Sequence, residues 1–143
     1  MNQQSDQEKY HELSYYTLAH PDPAFIHQHI VDAFAAQHAS EETKPIAVVF
    51  ALVGLYLYLE KGYSGREVQQ AHMRLAKHKK HWVQPHMPDF RGSITVSEVL
   101  AAPARYERDA MIRNWCESVW EAWNASHQQI SELVKANLVE FQE

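Results

Sequence analysis

The run Ile46-Ala-Val-Val-Phe-Ala-Leu-Val-Gly-Leu-Tyr-Leu-Tyr-Leu59 decides the fold. It is apolar almost all round, and a helix without a polar face is one that is surrounded on every side. At about 14 residues it falls short of the ~20 that a membrane span needs. Pro45 suits the first turn, where a missing N–H costs nothing, and Gly62 stands where helices end in the left-handed conformation. The stretch from about 45 to 61 is therefore expected to be the central helix of a bundle.

The flanking sequence supplies helices to surround it. Residues 5 to 19 read as a first helix, with Glu8 placed to reach His11 one turn on. Asp22-Pro-Ala-Phe-Ile-His-Gln-His-Ile-Val-Asp-Ala-Phe-Ala-Ala-Gln-His38 reads as a second, with Asp22 as its cap and Pro23 in its first turn. Ser64-Gly-Arg-Glu67 and Thr95-Val-Ser-Glu98 are capping boxes that open two more. On the first of these, Val68, Ala71, His72 and Leu75 share the inner face. Residues 82–94 show no periodicity; a connection this long often serves as a lid or binding loop. From about Tyr106 to Phe141 the helical pattern hardly stops, and Asn124-Ala-Ser126 is its only weak point, so one long helix or two joined by a kink would satisfy it. The expected fold is all-α, a compact single-domain bundle of five or six helices over residues 1–143. A long C-terminal helix packs across the centre and residues 1–5 are flexible.

Composition narrows the function class. Net charge is −5, against a general nucleic-acid binder. The single cysteine, Cys116, excludes an internal disulfide and a cysteine-based zinc cluster. The first 20 residues are polar and tyrosine-rich, with no signal-peptide pattern, so a cytoplasmic location is expected, without a membrane partner. Histidine stands out, with 10 in 143 residues.

Helix geometry limits what those histidines can do together. Residues two apart point about 200° apart, so His27 and His29 cannot share an ion on one helix. His27 and His38 share a face but stand ~16 Å apart along it. The local pairs are His29 with Asp32, Glu8 with His11, and His78 with His81. A metal site would be assembled from several helices, as bundles do. The set this favours is His11, His29 and His72 as ligands, with Asp32 as a further ligand or a general base. Nitrogen and carboxylate donors without thiolate suit zinc, iron or manganese. His27, Trp82 and Trp120 are the expected substrate contacts, and the 82–94 loop would cover the mouth. No HExxH, phosphate loop or GxSxG occurs. Cys116, among aromatics, reads as a small core residue.

Tyr10-His-Glu-Leu13, His20-Pro-Asp-Pro-Ala-Phe-Ile-His-Gln-His-Ile-Val-Asp32 with Gln37-His38, Gly65-Arg66 with Ala71-His-Met73, and Trp115-Cys-Glu-Ser-Val-Trp-Glu-Ala-Trp123 together resemble an uncharacterised bacterial family of all-helical domains. The resemblance spans about residues 10 to 138 and implies one intact helical domain, without implying a substrate. Two functional expectations follow. One is a small metal-dependent enzyme or metal-binding protein with a single divalent ion. The other is a non-catalytic binding or protein-interaction module whose histidines are structural. A homodimer through the C-terminal helix would explain a stripe that runs as far as Phe141.

Overall fold

The computed structural model describes residues 5–20, 22, 24–78 and 81–138. Seven α-helices follow in order: α1 (Asp6–Ala19), α2 (His27–Gln37), α3 (Pro45–Lys61), α4 (Gly65–His78), α5 (Val96–Ala101), α6 (Tyr106–Ala122) and α7 (His127–Asn137). A single 3-10 turn, Asn124–Ser126, separates the last two, so the C-terminal pattern is two helices and not one. Among the described residues there is no strand, and no helix is long and apolar enough to cross a membrane.

α3 is the centre. Every residue from Ala51 to Leu57 is buried, and the helix packs against α2, α4, α6 and α7. Its ends are where the sequence puts them, with Pro45 first and Gly62 beyond the last turn in the left-handed region (φ 74). α1 leans on α2 and α5, and α5 on α6. Both expected capping boxes form, Ser64 with Glu67 and Thr95 with Glu98. A third closes at the start of α1, where Ser5 accepts from the Glu8 backbone and Glu8 Oε1 accepts from Ser5 N–H at 2.9 Å. Of the residues expected to be flexible, 1–4 lie outside the described residues, and Ser5 is this cap.

α2 departs from expectation at its start. It begins at His27, four residues later than the Asp22 cap implies. The cause is Phe25, which takes a positive φ of 52° and closes a turn by donating its N–H to Asp22 O. A left-handed residue cannot continue a right-handed helix. The turn is held from outside by Gly65 N–H, which donates to Ala24 O at 2.6 Å.

The 82–94 loop is also not the lid it was expected to be. Arg91 reaches back to the last turn of α2, donating to Ala39 O at 2.7 Å and Gln37 O at 3.2 Å, while its Nε donates to Pro88 O at 2.6 Å. The guanidinium satisfies carbonyls that a helix end leaves unpaired and sits at the negative end of the dipole. The loop is a cap for α2 and contributes no residue to the pocket described next.

Candidate functional site

Six polar side chains are buried among the described residues, and α2 carries four of them: Gln28, His29, Asp32 and Gln37. Gln37 is fully used. Its amide donates to Ile94 O and Arg91 O, and its oxygen accepts from Trp115 Nε1 at 2.9 Å. The group around His29 and Asp32 is different.

His29 is 2% exposed and lies flat on Tyr58 of α3, centroids 3.5 Å apart and planes within 9°. Its Nδ1 is buried and has no hydrogen-bond partner. Burial, with the Arg113 cation as a smaller contribution, lowers its pKa to about 4, so the ring is neutral near pH 7. One turn on, Asp32 is 3% exposed. Its Oδ1 accepts from Gln28 Nε2 at 3.1 Å, and its Oδ2 is buried without a partner. Burial raises its pKa well above the usual 3.8, more than the Gln28 bond lowers it. Oδ2 lies against Gly54, where a Cβ would overlap the carboxyl. That glycine is therefore required in the middle of α3, where it otherwise weakens a helix. From α6, Cys116 Sγ–H donates to His29 O at 3.6 Å, and burial pushes its thiol pKa well up. Arg113 stands 5.2 Å from the Tyr58 ring centroid.

His29 and Tyr58 line a pocket of about 510 Å³ between the start of α2, the end of α3 and the start of α4. Tyr63 adds a second aromatic, and Asp22, Glu67 and Asp109 bring three carboxylates. A smaller cavity of about 130 Å³ adjoins it, sharing Asp22, Ile26 and Asp109 and adding Arg105. Asp32 lines neither.

The residues singled out from sequence fall in separate places. The expected convergence of His11, His29, Asp32 and His72 does not occur: among the described residues no three His, Cys, Asp or Glu side chains are grouped to hold an ion. His11 is exposed on α1 and pairs with Gln7 Nε2 at 3.0 Å, because Glu8 is taken up by the cap at Ser5. His72 does point inward, as expected, but it donates from Nε2 to Phe50 O at 2.8 Å and stacks on the Phe50 ring. Trp82 meets the same ring edge-on at 5.4 Å, so His72 and Trp82 share a neighbour. His27 Nδ1 is bonded to Thr17 Oγ1 at 2.9 Å. Trp120 donates to Glu60 Oε2 at 3.0 Å and stacks on His127. None of His27, Trp82 and Trp120 lines the His29 pocket. His29 and Asp32 lie one turn apart on α2, both buried.

A family model described as a family of unknown function (DUF5946) matches residues 3–124. The chain belongs to that family. No curated protein and no solved structure matches it. In this DUF5946 chain the matched span includes every residue of the His29 pocket, and it stops at the 3-10 turn before α7.

What sequence reasoning missed is the surroundings of His29 and Asp32: Tyr58 stacked on His29, Gly54 against Asp32, and Tyr63, Glu67 and Asp109 along the pocket. Gly54 was the available signal. A lone glycine inside an otherwise continuous apolar helix marks a close approach by something from a neighbour.

Proposed function

We propose that this domain is a binding module for a small organic ligand, seated in the pocket between α2, α3 and α4 and read by His29. The observation that carries this is the His29 ring, almost fully buried, lining a pocket and holding a nitrogen with no hydrogen-bond partner. Buried polar groups are nearly always bonded, and an exception calls for an explanation. Every other buried polar residue on α2 makes at least one hydrogen bond. A neutral imidazole beside a tyrosine can donate from one nitrogen and accept at the other, which suits recognition of a polar group on an otherwise flat molecule.

The absence of a three-donor group among the described residues favours an organic ligand over a metal-dependent enzyme. Asp32, its pKa raised by burial and its side chain away from the pocket, is better suited to holding α2 against α3 than to proton transfer on a substrate.

The test is protein-observed NMR of the ¹⁵N-labelled full chain against a fragment library, repeated with His29→Phe, which keeps a ring against Tyr58. Hits that bind the native protein, perturb Ile26, Tyr58 and Tyr63, and are lost in the variant support the module. Hits that leave those residues unmoved, or that bind the variant equally well, make His29 an ordinary core residue.

A further inference from the structure

The lining of the pocket carries more information than its shape. Its charged residues are Asp22, Glu67 and Asp109, and among the described residues no lysine or arginine lines it. Two of the three carboxylates are held in place. Glu67 Oε1 accepts the Ser64 N–H at 2.8 Å as part of the α4 cap, and Asp109 Oδ1 accepts the Tyr16 hydroxyl at 2.9 Å. The nearby arginines do not line it, although the Arg113 charge reaches His29. Arg113 pairs with Glu117 at 3.3 Å and stands over Tyr58, Arg66 stands over Phe25, and Arg105 lines only the adjoining smaller cavity. Three acids alone would be a solvated rim. Here they surround an aromatic wall, Tyr58 and Tyr63, and a buried imidazole that lacks a partner. An aromatic face attracts a cation and a carboxylate fixes it, whereas an anion would face three carboxylates.

We propose that the ligand of this pocket is a primary amine or amidine carried on a flat apolar body, its cation placed among Asp22, Glu67 and Asp109 and its body along Tyr58 and Tyr63. This rests on the binding reading above and specifies its chemistry. His29, uncharged near pH 7, adds no repulsion. The acids favour amines over neutral isosteres and reject carboxylates outright.

Three probes of one shape separate the possibilities: benzylamine, benzyl alcohol and benzoate, titrated into the ¹⁵N-labelled full chain while the amides of Ile26, Tyr58 and Tyr63 are followed. The expected result is binding of benzylamine about tenfold tighter than benzyl alcohol, with benzoate inert. Added salt should narrow the gap. In a Glu67→Gln/Asp109→Asn double variant the amine should fall to the level of the alcohol. Both replacements keep an acceptor, for the Ser64 N–H and the Tyr16 hydroxyl, so the fold should hold, and a melting curve checks it. If either replacement unfolds the chain, the salt dependence and the alcohol comparison on the native protein still decide. Alcohol binding equal to amine binding would overturn the cationic ligand and leave the pocket reading standing. No movement of those three amides with any probe would overturn both.

Discussion

The two ends of α2 solve the same problem in opposite ways. Each buries polar side chains against α3 and α6. At the C-terminal end Gln37, Trp115 and Arg91 satisfy one another and the backbone around them, with no side-chain atom left over. About 8 to 12 Å away along the helix, Asp32 and His29 are just as deeply buried, and each keeps an orphaned atom. A structural polar cluster is closed, because an unmade bond inside a protein is expensive. Of these two only His29 also lines a pocket, and that makes it the candidate for function. The difference separates the residues that hold the fold from those that are candidates for function, on one helix and within one protein.

The comparison breaks most clearly at Gln37. Gln37→Leu would orphan the Trp115 N–H and the Arg91 and Ile94 carbonyls together. A loss of about 3 kcal/mol in urea unfolding is expected, since each stranded group costs about 1–3. A loss below about 1 kcal/mol would mean the network is not the closed structure described.

The open end should instead show itself in pH. His29 stays neutral in the fold to about pH 4, while in the unfolded chain it takes up a proton below about 6.5. The unfolded state therefore binds the extra proton between those values, and stability falls as pH drops through that window. The gap corresponds to about 3 kcal/mol at most. His29→Phe should flatten this acid limb, read as unfolding free energy against pH. An unchanged limb would place the sensitivity elsewhere.

Gly54→Ala comes next. The added methyl meets the Asp32 carboxyl, and a loss of about 2 kcal/mol is expected despite alanine's better helix propensity. Adding Asp32→Ala should recover much of it, a coupling that independent sites would not show.

The last effect has the opposite sign. Burial raises the Asp32 pKa, so above pH 3.8 the unfolded chain releases its proton more readily than the fold does, and folding is opposed. Asp32→Asn removes that opposition while keeping an acceptor for Gln28. A gain in unfolding free energy is expected near pH 7, shrinking toward pH 3.8. A loss at neutral pH would argue for an ionised Asp32.

Local chemistry made most of the fold legible. Pro45, Gly62 and the caps at Ser64 and Thr95 mark helix ends by rules that act within a few residues, and the seamless apolar run announced the buried α3. The start of α2 was not legible, because a positive φ at Phe25 is imposed by its surroundings and phenylalanine carries no signal for it. The site was half legible. His29 and Asp32 lie one turn apart on a helix, which spacing can show. Tyr58, Glu67 and Asp109 come from three other helices, and their convergence depends on packing that no periodicity encodes. The same limit explains the metal set. His72 turns inward as its helical face requires, but toward Phe50, a direction set by the side-by-side packing of α3 and α4.

The break between α6 and α7 has a practical consequence. The family match ends at 124, yet Ile130, Val134 and Leu138 of α7 are at most 1% exposed, and this helix packs on α3. A gene trimmed to the matched span would keep the whole pocket and strip one wall from the central helix. Such a truncation would show its bare apolar flank to every neighbour in a crowded expression host, and inclusion bodies would be the visible outcome.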